Sequence, residues 1–146
     1  MNGIMEIEAD GTKIWRLNGK LHRIDGPAIE YANGTKVWSL NGELHRTDGP
    51  AFESSDGKKE WWLNGKYHRT NGPAVERADG TKMWYIDGKP HRTDGPAIED
   101  ADGSKRWYRD GENITAEVEQ AIEEGRLNPD YENWTDDEKI LFNLTV

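Results

Sequence analysis

Four His-Arg pairs, His22-Arg23, His45-Arg46, His68-Arg69 and His91-Arg92, recur every 23 residues. Arginine offers a planar fork of donors that suits phosphate or carboxylate, and imidazole adds a second polar contact. A row of such pairs along one edge would bind an anion, for example a signalling nucleotide. The competing assignment is architectural. His22 opposite Trp15 would pack on its ring, and Arg23 would pair with Glu30. Identical copies in every unit are what stacking demands, because each copy meets the same neighbour. The architectural role is the expectation, and anion binding through these eight residues is the alternative.

Other chemistry is poorly supplied. The chain has no cysteine, which excludes disulfides, thiolate metal sites and thiol catalysis. No His, Asp and Glu set has metal-ligand spacing. The serines are Ser39, Ser54, Ser55 and Ser104, and none sits at a Gly-x-Ser-x-Gly turn. Phosphate-cradling glycine motifs are missing too. Neither enzymatic activity nor a cofactor is expected.

The elements that would position these residues are repeats. Trp15, Trp38, Trp61, Trp84 and Trp107 share the 23-residue spacing. Each His-Arg pair leads into Asx-Gly-Pro-Ala, as at Asp25-Gly26-Pro27-Ala28, and a Glu follows at Glu30, Glu53, Glu76 and Glu99. Each unit holds two further Asx-Gly dipeptides, a strong hairpin signal. Read as two-residue turns, Asn33-Gly34 sets Ile29 opposite Trp38, and Asn18-Gly19 sets Trp15 opposite His22. Ile29, Trp38, Pro27 and Leu40 then share an apolar face, while Glu30, Val37 and Ser39 take the other. Arg23 falls on the face away from Trp15 and on the side of Glu30. The periodic Trp are expected to be the core.

The expected fold is mainly β. It is an elongated, twisted antiparallel sheet of about five β-hairpin repeats, with units near 3–25, 26–48, 49–71, 72–94 and 95–111. Residues 112–146 form an acidic helical cap. There, Ile114, Val118, Ala121 and Ile122 make one helical stripe, and Gly125 stops that helix. Thr135-Asp136-Asp137-Glu138 is a capping box that opens a second helix, with Ile140, Leu141 and Leu144 as its apolar face. No apolar run approaches the roughly 18 residues of a membrane helix. The N-terminus has no basic segment or apolar run, so a secretory leader is not expected. The expected location is the cytoplasm.

Charge divides the chain. Residues 1–111 carry 18 acidic and 17 basic side chains, and residues 112–146 carry 10 and 2. Such a tail disfavours nucleic acid and anionic membrane and favours a protein partner. Trp62, Tyr85 and Tyr108 each follow a periodic Trp, where the first two units have Arg16 and Ser39. On the face opposite the periodic Trp, they suit either a protein contact strip or a seat for the C-terminal helices. The candidate protein-contact residues are Trp62, Tyr85, Tyr108 and Trp134, with Glu123, Glu124, Asp136 and Asp137 steering encounter.

The 23-residue hairpin unit with a recurring Trp resembles the MORN repeats. More closely, Leu21-His22-Arg23-Ile24-Asp25-Gly26-Pro27-Ala28 and Leu44-His45-Arg46-Thr47-Asp48-Gly49-Pro50-Ala51 resemble small HRxDGPA repeat proteins of bacteriophages and bacteria. The resemblance covers Gly3 to Gly111 and implies an interaction scaffold. It also implies a phage or bacterial source. The expectation is a phage-encoded protein that binds a host protein, such as a defence protein, and inhibits or modulates it. The alternatives are sequestration of an anionic nucleotide and an assembly component, with a homo-oligomer as a further partner state.

Overall fold

The computed structural model describes residues 1–145. Val146, the end of the expected acidic cap, lies outside the described residues. Strands β1 (Ile4–Ile7) and β2 (Lys13–Leu17) open an 11-stranded antiparallel sheet. Each later repeat adds one ladder hairpin: Ile29–Glu30 with Lys36–Val37, Phe52–Glu53 with Lys59–Glu60, Val75–Glu76 with Lys82–Met83, and Ile98–Glu99 with Lys105–Arg106. Strands lie beside their chain neighbours in an open meander, not a barrel. Each of these repeats also adds a side hairpin, such as Ser39–Leu40 with Glu43–Leu44 and Trp62–Leu63 with Lys66–Tyr67. The chain closes with helix α1 (Thr115–Glu123), a 3-10 turn (Tyr131–Asn133) and helix α2 (Asp136–Thr145).

The two Asx-Gly dipeptides of a unit make different turns. Asn18, Asn41, Asn64, Asp87 and Asp110 all have φ between 49 and 52°, and each is followed by a glycine of positive φ. These are two-residue hairpin turns, and His22 N–H donates to the Trp15 carbonyl as expected. Asn33-Gly34 behaves otherwise. Tyr31 N–H donates to the Thr35 carbonyl, Gly34 N–H donates to the Tyr31 carbonyl, and Gly34 has φ 90° while Asn33 is not in the left-handed region. The loop therefore has three residues, a type I turn closed by a left-handed glycine.

That one residue reverses the facing. Val37, not Trp38, stands opposite Ile29, and Lys36 stands opposite Glu30. Because strand side chains alternate, a one-residue slip exchanges the two faces. The expected apolar face of Ile29 with Trp38 is thus corrected. Ile14, Ile29, Val37, Phe52, Glu60, Val75, Met83, Ile98 and Arg106 stand opposite one another across the sheet. Ile14, Ile29 and Val37 pack with Leu21, Leu44 and Phe52 into one core. Side-hairpin residues thus close over that row.

The neighbouring row alternates in charge without a break: Lys13, Glu30, Lys36, Glu53, Lys59, Glu76, Lys82, Glu99, Lys105. Directly opposed opposite charges each stabilise such a sheet by about 0.2–1 kcal/mol. Register is fixed by both rows, since any slip would set like charges together or lift the apolar row out of its core.

The C-terminal segment builds a second core from Trp107, Ile114, Val118, Ala121, Leu127, Tyr131, Trp134 and Phe142. Gly125, at φ 70°, ends α1 as expected, with Gly125 N–H on Ile122 and Arg126 N–H on Ala121. The Thr135 capping box is formed, with Thr135 Oγ1 accepting from Glu138 N–H and Glu138 accepting from Thr135 N–H. On α2 Phe142 is fully buried and Leu141 packs on the same core as expected, while Ile140 and Leu144 are exposed. Their expected place on the apolar face is corrected. Among the described residues no helix is long and apolar enough to cross a membrane.

Candidate functional site

Each His-Arg pair has a fixed job in joining one repeat to the next. His22 Nδ1 accepts the backbone N–H of Asn41 at 3.1 Å, and His45, His68 and His91 do the same for Asn64, Asp87 and Asp110. The imidazole thus latches the side-hairpin turn of the following unit. A backbone bond lies beside each latch, from Gly42, Gly65, Gly88 and Gly111 to the preceding unit. The neighbouring arginine does more. The Arg46 guanidinium carbon lies 3.8 Å from the centre of the Trp38 ring. Its Nε donates to Asp48 at 2.8 Å, and its Nη1 donates to the Pro50 carbonyl and to Glu53. Arg23, Arg69 and Arg92 repeat the whole set on their own Trp, Asx, Pro and Glu.

This settles the facing of the arginines. Arg23 pairs with Glu30 as expected, but it stacks on Trp15 instead of lying on the opposite face. It is the arginine, not His22, that lies over the ring. Gly26, Gly49, Gly72 and Gly95 are small for the same reason, since a Cβ there would meet the guanidinium at 2.8–2.9 Å. The Arg46 hydrogen bond also holds the Asp48 carboxyl below its usual range.

The periodic tryptophans are not the core. Trp15, Trp38, Trp61 and Trp84 are half-buried, and only Trp107 is buried. The four half-buried rings sit on the face of the Lys-Glu row, under their arginines. Ala28, Ala51, Ala74 and Ala97 are fully buried instead, each accepting from a Trp backbone N–H.

Between successive His-Arg loops runs an open groove. One position, about 560 Å³, is lined by Arg46, Thr47, Asp48, Trp61, Leu63 and His68 among others. The next, about 540 Å³, is lined by Arg69, Thr70, Asn71, Trp84, Ile86 and His91. A smaller one of about 390 Å³ lies one repeat earlier, beside Trp38 and Ile24. Two strands per unit place successive positions about 10 Å apart.

The next equivalent position, beside Arg92, Trp107 and Arg109, is filled by the chain itself. Tyr131 lies against Gly95, and its hydroxyl donates to Glu99. Asn143 donates to the Thr93 carbonyl at 3.1 Å. Arg109 lies over Phe142 and donates to its carbonyl. Burial and Glu99 push the Tyr131 phenol up to about 12. The C-terminal segment is therefore a cap seated in the last groove position.

The other candidate residues fall in several places. Trp134 is buried in the cap, with its indole N–H on the Asn128 carbonyl, so its expected surface contact is corrected. Trp62, Tyr85 and Tyr108 are half-buried on the face opposite the groove. Trp62 stacks with Tyr67, Tyr67 with Tyr85, and both Trp62 and Tyr67 donate to the buried Glu60. They support an acidic residue in a row that is otherwise apolar from Ile14 to Ile98. Glu123, Glu124, Asp136 and Asp137 are exposed. Thr47, Thr70, Leu63, Ile86 and Tyr131 were not among the sequence candidates, and the Arg-to-Glu spacing of seven residues was the available signal for their groove. Among the described residues no three acidic or histidine side chains form a set that could hold a metal ion. No family model matches the sequence, and no curated protein does.

Proposed function

We propose that the chain is a non-enzymatic binding protein whose groove face takes a segment of a protein partner. The observation that carries this is the last groove position, which a segment of the same polypeptide already fills with Tyr131, Phe142 and Asn143. The preceding positions repeat the arginine loop of that site, each with a second His-Arg loop on its far side, and remain open. The arginines favour a protein over an anionic nucleotide as ligand. Their donors already serve Asp48, Glu53 and their counterparts, so an incoming phosphate would compete with carboxylates. The resemblance to phage and bacterial HRxDGPA proteins extends the proposal. The partner is then a host protein that the chain inhibits or modulates in the cytoplasm, with Glu123, Glu124, Asp136 and Asp137 steering its approach.

The test compares the tagged full chain with a Thr47→Trp, Thr70→Trp variant in pull-downs from bacterial lysate. Both threonines are exposed and line the groove. A stoichiometric protein retained by the native chain and lost from the variant supports the proposal. Equal retention by both, or an anionic small molecule released by heat with no protein retained, overturns it.

A further inference from the structure

The capped position shows which group of the C-terminal segment the repeat recognises. The centre of the Tyr131 ring lies 5.3 Å from the Arg92 guanidinium carbon and 5.2 Å from Lys105 Nζ. Its hydroxyl donates to Glu99, the carboxylate that Arg92 also holds. Its edge rests on Gly95, where a Cβ would stand 2.9 Å from the ring. Arginine, lysine, glutamate and glycine thus form one seat for a phenol. An electron-rich ring is attracted by a cation near its face, and a neutral hydroxyl donates to a carboxylate without adding charge.

The same four residue types stand in the same register in the open repeats. Arg69, Lys82, Glu76 and Gly72 form one set, and Arg46, Lys59, Glu53 and Gly49 another. The Arg69–Glu76 and Arg46–Glu53 pairs are made as in the capped repeat, at 3.3 and 3.1 Å. What differs is the far wall, where the next unit's His-Arg loop stands across each open position and Ile114-Thr115 follows in the capped one, and cover. The Glu76 and Glu53 side chains are 34% and 35% exposed, against 24% for Glu99 under Tyr131.

We infer that the open repeats are tyrosine seats, and that the partner is a protein segment presenting a tyrosine to the Arg-Lys-Glu-Gly set of one or more repeats. This rests on the protein-binding reading above and names the group that such a partner must carry. A phenylalanine would keep the ring and lose the bond to glutamate. Removing a hydrogen bond to a charged group weakens binding by roughly tenfold or more.

The probe is a synthetic peptide of residues 126–144, compared with the same peptide carrying Tyr131→Phe. Each is titrated into the 15N-labelled full chain, whose own last position stays capped. The readouts are the backbone amides of Gly49 and Gly72 and the indole N–H signals of Trp61 and Trp84. The expected result is that the tyrosine peptide moves these signals, and that the phenylalanine peptide needs roughly tenfold more to do so. Equal response to both peptides overturns the tyrosine seat and leaves the groove a protein-binding surface. No response to either overturns the seat and the groove reading together.

Discussion

The Arg46 guanidinium carbon stands 3.8 Å from the centre of the Trp38 ring, with Glu53 3.1 Å from its Nη1. This relationship recurs in four repeats and orders the molecule. The arginine joins the Asx-Gly-Pro loop to the charged row of the sheet and roofs the tryptophan. A half-buried tryptophan under a guanidinium keeps the sheet face solvated and still leaves a wall for a groove.

Arg46→Lys should therefore be far from conservative. Lysine keeps the charge, but its single ammonium cannot hold Asp48, the Pro50 carbonyl and Glu53 while stacking on Trp38. A loss of about 1–3 kcal/mol is expected, since hydrogen bonds to charged groups are broken. Urea unfolding followed by tryptophan fluorescence measures it. Unchanged stability would free the arginine for the nucleotide alternative. The Asp48 carboxylate, held low by Arg46, adds its part at neutral pH and gives it up as pH falls through the carboxylate range.

His45→Ala removes the acceptor for Asn64 N–H and unlatches the second unit from the third. A cost of about 0.5–1.5 kcal/mol is expected for one net hydrogen bond. Hydrogen exchange should show faster opening at Asn64 and Gly65 than at the ladder strands.

Glu60 interrupts the apolar run from Ile14 to Ile98, buried and held by Lys58, Trp62 and Tyr67. Glu60→Val alone leaves two half-buried donors without this partner and should cost about 1–3 kcal/mol. The triple change Glu60→Val, Trp62→Ser, Tyr67→Leu copies Val37, Ser39 and Leu44 of the second repeat. It should recover most of that loss. Additive losses in thermal unfolding would contradict this coupling.

Tyr131→Phe tests the cap. The phenol pKa is raised to about 12 by burial and Glu99. A raised folded value means its contribution is complete below the unfolded value near 10 and is lost as pH rises through about 12. The native chain should loosen at its C-terminal end in that window. The variant should be weaker at neutral pH by about 1–3 kcal/mol and lose that pH step. Absorbance at the tyrosinate band against pH reads the step, with the Tyr67 phenol, also raised to about 12, as internal reference, and urea unfolding at neutral pH reads the loss.

Much of this was legible in the residues. The 23-residue spacing gives the repeat, and Asn18-Gly19 gives its turn and the Trp15–His22 pairing. Asn33-Gly34 misled because the same dipeptide closes a three-residue loop when Ala32 and Asn33 form a type I turn. One residue of register then carried Val37 to the face of Ile29 and sent Trp38 to the face of Glu30. The C-terminal helices were visible by pattern, as Val118 and Thr135 show. Their seat was not, since Tyr131 and Gly95 meet across 36 residues with no shared periodicity. Trp134 read as a surface contact because an aromatic among acidic residues gives no sign of which way it faces.

The most direct test is a photocrosslinking scan of the full chain in bacterial cells. A photoreactive side chain is placed at Thr47 or Thr70 in the groove, at Asp56 in a hairpin turn, or at Glu119 on α1, all exposed positions. The account predicts one crosslinked protein from Thr47 and Thr70, and none from Asp56 or Glu119. Crosslinks from Asp56 or Glu119 with none from the groove would contradict it.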